Sequence, residues 1–132
     1  MNRQQVSDLI CSYVHAWEQQ DLDWALGVLA EEIVIVENDG SVYNGLEEFK
    51  AWFQDWHAPP NSGRVRRWQI YRILFDEQTL QAAVDWEFEC AFEGRDYVFP
   101  GASLLDFSGG LITRIQEYRM DKDQHRPYST HH

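Results

Sequence analysis

The chain has 132 residues, of which 44% are hydrophobic and 14% aromatic, and its formal net charge is −11. This length suits one domain with enough apolar residues for a core. The negative charge argues against nucleic acid and anionic membranes as partners, because both attract basic surfaces. No apolar run approaches the roughly 20 residues of a membrane span, and the first residues lack a signal-peptide core. We therefore expect a soluble, cytoplasmic protein.

The first predicted element is an amphipathic helix over about residues 3–19. Apolar residues recur at helical spacing from Val6 to Trp17, which gives the helix one apolar stripe. Asn2 and Gln5 have the spacing of a capping box at its start.

Shorter elements follow in the next 40 residues. Asp21 can cap a second helix whose apolar residues extend to Leu29. Residues 33–36 are β-branched or apolar and predict a strand, and residues 41–43 predict a brief returning strand. A third amphipathic helix is predicted over residues 46–56.

From residue 64 onward the helical period gives way to long strand-like runs. They cover residues 64–75, 80–92, 95–107 and 111–120, which predicts an antiparallel meander of four strands. A tight turn at residues 93–94 predicts cross-strand pairs of Phe88 with Phe99, Trp86 with Gly101, and Val84 with Ser103. Gly109 and Gly110 predict a second tight turn, before the last strand.

The order of elements predicts an α+β fold in which a strongly curved sheet cups three N-terminal helices. A long helix laid across such a sheet leaves a cone-shaped space, where a ligand can bind. We assign residues 1–121 to one domain and residues 122–132 to a polar tail. The tail ends in His131 and His132, to which we give no metal role.

The sequence gives no indication of a metal or another cofactor. No His, Cys, Asp and Glu residues have ligand spacing on a common element, and there is no phosphate-binding glycine loop. Cys11 and Cys90 lie within apolar patterns, so we interpret them as buried thiols rather than a disulfide.

The chain resembles the nuclear transport factor 2-like superfamily, in its SnoaL-like branch, over about residues 5–121. The resemblance depends on the order and spacing of five segments, which are residues 13–17, 21–23, 32–37, 44–49 and 101–118. It implies the cone-shaped fold. It does not imply one activity, because this fold hosts isomerases, hydrolases, polyketide cyclases and binding modules.

Comparison with the ketosteroid isomerases of this superfamily suggests three site residues. Tyr13 matches their oxyanion-holding tyrosine, and Glu37 matches their proton-shuttling carboxylate. Ser103 stands where they have a protonated carboxylic acid, so one strong oxyanion donor is missing. From the residues alone, Tyr13 is either a pocket residue or a core tyrosine bonded to a backbone carbonyl.

Two carboxyl groups and one guanidinium are further candidates. Burial would raise the pKa of Glu37 toward the range of general acid–base catalysis, unless the side chain is solvated at the strand end. The resemblance to SnoaL-like cyclases and related epoxide hydrolases implies a role for acids of the final strands, such as Glu117. Glu117 and Arg119 either face the cavity as a charge pair or form a salt bridge on the outer face.

Aromatic residues are the expected lining of the cavity. The candidates are Trp17, Trp52, Trp56 and Trp86. His57 is either an acid–base group at the cavity mouth or a solvated loop residue. His15 falls on the outer face of the first helix, where we expect no function.

Two functions remain open at this stage. In the first, a cofactor-independent enzyme acts on a small apolar or cyclic molecule by isomerisation, cyclisation or hydration. Glu37 is then the base, Tyr13 and Ser103 stabilise an oxyanion, and Glu117 is a second acid–base group. In the second, the domain is a non-catalytic binding or interaction module. The resemblance also implies a homodimer formed through the sheet. Complementary charges for such an interface are available at Arg66, Arg72, Asp85, Glu87 and Glu89.

Overall fold

The computed structural model describes residues 1–129, in which three helices and six strands form the predicted α+β fold. The helices are α1 (Arg3–Glu18), α2 (Leu22–Leu26) and α3 (Gly45–His57). The strands are β1 (Leu29–Val36), β2 (Val42–Asn44), β3 (Arg64–Asp76), β4 (Gln81–Phe92), β5 (Arg95–Ser108) and β6 (Leu111–Arg119). His131 and His132 lie outside the described residues. No helix within residues 1–129 is long and apolar enough to cross a membrane.

All six strands belong to one sheet with the order β2-β1-β6-β5-β4-β3. Strands β1 and β6 are parallel, and every other neighbouring pair is antiparallel. The predicted four-stranded meander is therefore confirmed. The predicted pairs of Phe88 with Phe99, Trp86 with Gly101, and Val84 with Ser103 are also confirmed.

The predicted helix caps are present. The side chain of Asn2 accepts a hydrogen bond from the Gln5 backbone N–H at 2.9 Å, and the Gln5 side chain accepts one from the Asn2 N–H at 2.8 Å. Asp21 caps α2 by accepting from the backbone N–H of Trp24 at 3.0 Å. These side chains satisfy donors that each helix leaves free in its first turn.

The prediction that the second helix extends to Leu29 was wrong. Helix α2 ends at Leu26, and Gly27 follows it as the C-cap. Leu29 instead opens β1 and pairs with Ile112 of β6. A buried leucine three residues after another apolar residue fits a helix and a strand equally well, so the periodicity alone did not separate them.

The two long helices cover the concave face of the sheet, with α1 against β3 and α3 against β1. Their inward residues are almost fully buried, among them Val6, Ile10, Phe49 and Phe53. At full burial an aliphatic or phenyl side chain contributes roughly 1.5–3 kcal/mol. The end of the cone beside the last turn of α3 is left open, and the candidate site lies there.

The charged residues of the outer face pair with one another. Arg72 binds Asp85 with an N–O distance of 2.7 Å, and Arg67 binds Glu87 at 2.6 Å. Arg66, which was predicted to serve a dimer interface, binds Asp96 at 3.0 Å. These arginines are therefore already engaged within the chain.

Candidate active site

A cavity of about 500 Å³ lies between α3 and the concave face of the sheet. Its walls are mainly aromatic and include Tyr43, Trp52, Trp56, Trp68, Trp86 and Phe99. Two carboxyl groups, from Glu37 and Glu117, also line it. The cavity is large enough for a small cyclic molecule, since ligand sites commonly occupy about 300–1,000 Å³.

Glu37 reaches the cavity because of its place at the end of β1. Ile33 and Ile35 point into the core and are fully buried, so the two-residue period of the strand places Glu37 on the same face. The turn after the strand holds its backbone, because the Glu37 N–H donates to the carbonyl of Ser41 at 2.8 Å. Glu37 is thus not a solvated residue at the strand end.

Glu117 lies on the inner face of β6, two residues beyond buried Ile115, and its side chain is 8% exposed. The alternative of a salt bridge on the outer face is therefore excluded. The hydroxyl of Ser103, its partner on β5, donates a hydrogen bond to Oε2 of Glu117 at 3.3 Å. The Trp86 indole N–H donates to that hydroxyl at 2.9 Å. Because the Ser103 oxygen accepts the hydrogen bond from Trp86, the Ser103 hydroxyl proton is directed to Glu117.

Gly101 permits this arrangement of Trp86. A Cβ atom at position 101 would lie 2.4 Å from the Trp86 ring and 2.4 Å from the Tyr118 carbonyl oxygen. The indole therefore rests directly on the glycine backbone, which sets the position of its N–H beside Ser103.

Glu37 and Glu117 directly follow Val36 and Gln116, which pair across the parallel strands β1 and β6, and each carboxyl shifts the pKa of the other. Burial, followed by the negative charge of Glu117, raises the pKa of Glu37 to about 10. Burial also raises the pKa of Glu117, whereas hydrogen bonds from Glu37 and Ser103 act in the opposite direction. Two adjacent buried carboxyls cannot both ionise cheaply, so at least one of them is protonated at neutral pH. The bonds to Glu117 favour placing a proton on Glu37.

Tyr13 lies near the carboxyl pair but is not among the residues that line the cavity. Its pKa is raised well above the ordinary value by burial and by the charges of Glu117 and Glu37. Its hydroxyl is buried and has no hydrogen-bond partner among residues 1–129, so the alternative of a bond to a backbone carbonyl is not formed. The Trp17 indole approaches closely enough to lower that pKa, without the geometry of a hydrogen bond.

Three of the four predicted tryptophans, Trp52, Trp56 and Trp86, line the cavity. Trp17 does not. It is 4% exposed and packs in the aromatic core, with its ring 4.5 Å from that of Phe53.

His57 matches neither predicted alternative. It is the last residue of α3, and its ring stacks on that of Trp17 with a centroid distance of 5.4 Å. Nδ1 donates to the carbonyl of Phe53 at 2.7 Å, and burial lowers the pKa of the imidazole. It is therefore a neutral side chain in the aromatic core and not a solvated loop residue.

Arg119 lies at the cavity mouth, but its ion-pair partner is not Glu117. Its Nε donates to Oδ1 of Asp121 at 2.7 Å, and its guanidinium carbon lies 4.6 Å from the centre of the Phe99 ring. Its positive charge lowers the pKa of Glu37, although less than burial and Glu117 raise it. His15 lies on the exposed side of α1, with its Nε2 3.8 Å from Oε1 of Glu18.

Both cysteines are free thiols. Cys90 is buried in the cavity wall, and burial raises its pKa to about 11, so at neutral pH it is a protonated thiol and a poor nucleophile. Cys11 is only half-buried, contrary to the prediction. Within residues 1–129 no three His, Cys, Asp or Glu side chains are grouped so that they could hold a metal ion.

Trp68 is the main cavity residue that the sequence did not reveal. It is 9% exposed and makes an edge-on contact with Trp86 at 5.7 Å. The register of β3 shifts between Val65 and Arg67, so the buried residues there are three positions apart. A bulge of this kind interrupts the two-residue period that would have marked Trp68 as inward-facing.

The fold and the site together define a class of protein. Its members are cone-shaped α+β domains with a carboxyl pair at an aromatic cavity. The family of SnoaL-like domains matches residues 11–115, and the chain belongs to this family. No relative was found among curated protein sequences.

Solved structures share the fold at low identity. The chain is similar to a candidate polyketide cyclase from Xanthomonas campestris pv. campestris, with 23% identity over 89% of this chain and 92% of that chain and a TM-score of 0.74. It is similar to an LEH-like epoxide hydrolase from M. tuberculosis, with 14% identity, coverages of 89% and 84%, and a TM-score of 0.76. It is also similar to a protein with a ketosteroid isomerase-like fold from Catenulispora acidiphila, in complex with trimethylamine. The identity is 18% over 83% of this chain and 83% of that chain, and the TM-score is 0.70.

Proposed function

We propose that this domain catalyses cofactor-independent proton transfer on a small, largely apolar cyclic molecule that carries a carbonyl group. The observation that carries the proposal is the placement of two carboxyls, those of Glu37 and Glu117, side by side at the ends of paired strands in an aromatic-lined cavity. A pair that holds one proton provides an acid and a base side by side. General acid–base catalysis requires both, each within reach of the substrate.

The proton balance of such a pair suits an isomerisation. The ionised carboxylate removes a proton from the carbon next to the carbonyl, while the carboxylic acid donates its proton to the carbonyl oxygen. The product is an enol, and the pair still holds one proton, now on the other carboxyl. In a substrate with a double bond next to the α-carbon, the newly protonated carboxyl returns its proton to the far carbon of that double bond. The enol hydroxyl at the same time returns its proton to the carboxylate that first donated it, which completes a 1,3-shift, regenerates the carbonyl and restores the original state of the pair.

The residues around the pair give each carboxyl a role. The hydroxyl of Ser103 donates to Glu117 and supports its ionised form, which makes Glu117 the base. Glu37 is less buried and holds the proton, which makes it the acid. This assignment reverses the role of Glu37 expected from the sequence. Ser103 and Tyr13 then act behind the pair, since neither lines the cavity.

The proposal is tested with 4,4-dimethylcyclohexanone, a small apolar ketone, in D₂O at neutral pD. The protein should accelerate exchange of the α-protons for deuterium, followed by proton NMR, and the rate should saturate as the ketone concentration rises. Saturation distinguishes a cavity from scattered surface carboxylates. Exchange no faster than with the same concentration of acetate, and linear in ketone, would contradict the proposal.

We also propose that the protein is cytoplasmic and forms a homodimer through the outer face of the sheet. Two free cysteines support a reducing compartment.

The dimer is supported by large side chains that are between 50% and 63% exposed, those of Leu74, Val98, Leu104 and Tyr118. They lie at outward positions of neighbouring strands and offer an apolar surface for self-association. Sedimentation equilibrium should give twice the chain mass, and a monomer at micromolar concentration would exclude this assembly.

A further inference from the structure

The acidic residues of the two sheet faces differ in their partners. On the outer face, Asp85, Glu87 and Asp96 each bind an arginine at 3.0 Å or less. The acids that line the cavity are Glu37, Asp39, Asp55, Glu93 and Glu117. None of these five forms an ion pair with any residue in the described part of the chain. The acids of the cavity therefore outnumber its cations, and Arg119 offsets only part of their negative charge.

One cationic side chain lines the cavity within residues 1–129. This is Arg119, and the carboxylate of Asp121 already binds it. At the mouth Asp39 stays ionised, because the backbone N–H of Ser41 donates to its side chain and lowers its pKa. The carboxyl pair inside adds about one further negative charge. An anionic ligand would be repelled both at the mouth and inside the cavity, whereas a cation would be attracted.

Aromatic rings lie next to these acids in the wall of the cavity. Tyr43 and Trp52 stack with a centroid distance of 4.4 Å and an interplanar angle of 10°. Trp56 and Phe92 stack at 5.6 Å, and Asp55 and Glu93 are their neighbours in the chain. The Arg119 guanidinium lies over Phe99 at the same cavity, so one aromatic face here already takes a cation. Aromatic faces attract cations, most strongly where water is excluded.

We infer that the substrate of this cavity is a small cyclic carbonyl compound that also carries a cationic amine, as a tertiary or quaternary ammonium group. The charged nitrogen lies among the aromatic faces near the mouth, and the reacting part of the molecule faces the carboxyl pair. This substrate class rests on the proposed acid–base function, which it makes more specific. A quaternary ammonium suits the site because it is weakly hydrated and needs no hydrogen bonds from the walls.

The test compares two ligands of the same shape that differ in charge, 4-hydroxy-1,1-dimethylpiperidinium and 4,4-dimethylcyclohexanol. Binding to the wild-type protein is followed by tryptophan fluorescence or ligand NMR in low salt. The cation should bind about 10–100-fold more tightly, as expected for roughly 1.4–2.8 kcal/mol of electrostatic and cation–π attraction. Its affinity should fall with added salt, and that of the neutral alcohol should not.

Matched triple variants separate the cavity charges from the overall charge. Asp39→Asn, Asp55→Asn and Glu93→Gln together should weaken binding of the cation about 10-fold and leave the alcohol unchanged. The control carries Asp8→Asn, Glu31→Gln and Glu77→Gln, three exposed acids that do not line the cavity. It removes the same charge and should change neither affinity.

Equal affinity for the two ligands, or equal loss in both triple variants, would overturn the inference. Neither result depends on exchange of the α-protons of 4,4-dimethylcyclohexanone. If that neutral ketone exchanges but the ligands bind equally, the substrate class is wrong and the acid–base function stands. If the cation is selected but no exchange occurs, the acid–base function is wrong.

Discussion

Replacing either Glu37 or Glu117 with glutamine should lower the rate of α-proton exchange about 100-fold or more. Each variant removes one half of the acid–base pair, and general acid–base catalysis typically contributes 10²–10⁴-fold. The double variant should lose little beyond either single variant, because groups that act as one unit have non-additive effects. The measurement is the saturating exchange rate of 4,4-dimethylcyclohexanone for the three variants.

The substitutions are conservative enough to leave the fold intact. Glutamine has the shape of a protonated glutamate, and its amide can donate to the remaining carboxylate as the acid does. Glu31→Gln is the matched control. Glu31 is an exposed residue of β1, the strand that Glu37 directly follows. Unchanged rates in the single variants, or effects that multiply in the double variant, would show that the carboxyls do not work as a pair.

The stability of the protein should fall as the pH rises from 7 to 8.5. The pKa of an unfolded glutamate is about 4.3, whereas burial and Glu117 raise the pKa of Glu37 to about 10 in the folded state. Between these values the folded protein binds one more proton than the unfolded chain. The stabilisation is complete below the unfolded pKa and is lost as the pH rises through the folded one. The slope is at most about 1.4 kcal/mol per pH unit, or about 2 kcal/mol over this range.

Other titrating groups differ from the carboxyl pair in their effect over this range. The Cys90 thiol, whose pKa burial raises to about 11, adds to the fall only near pH 8.5, where an unfolded cysteine ionises, and it does so equally in the wild type and in Glu37→Gln. The pKa of His57 is lowered, so above pH 7 it is neutral in the folded state and largely so in the unfolded chain. Asp39 and Asp85 have lowered pKa values and affect stability only in acid. Urea unfolding at intervals of half a pH unit gives the slope, which should be clearly smaller in Glu37→Gln. Parallel curves for the wild type and this variant would contradict the expectation.

The sequence predicted the framework because it is determined by local patterns. Two-residue alternation and tight turns placed Trp86 opposite Gly101 and Val84 opposite Ser103, and the structure agrees. The capping residues Asn2 and Asp21 also act as expected. Each of these features depends on neighbours within a few residues along the chain or on one short hairpin.

The site was harder to predict because it depends on residues far apart in the chain. The contact of Glu37 with Glu117 requires the parallel pairing of β1 and β6, whose partners lie about 80 positions apart. The hydrogen bond from Trp86 to Ser103 depends on the close packing of the Trp86 ring against Gly101, which no spacing rule reveals. Neither alternative for Tyr13 describes its hydroxyl, which does not line the cavity and has no hydrogen-bond partner within residues 1–129. The surroundings of a buried polar group depend on the complete packing, which the helical period of α1 does not give.

The central claim, that Glu37 and Glu117 share one proton, is tested most directly by a ¹³C NMR titration of their side-chain carboxyl carbons. The signals can be assigned from the spectra of Glu37→Gln and Glu117→Gln. We predict that the Glu37 carbon keeps the shift of a protonated acid from pH 4 to pH 8, while the Glu117 carbon shows ionisation. Two independent transitions near pH 4.3, with both carboxyls fully ionised at pH 7, would contradict the account.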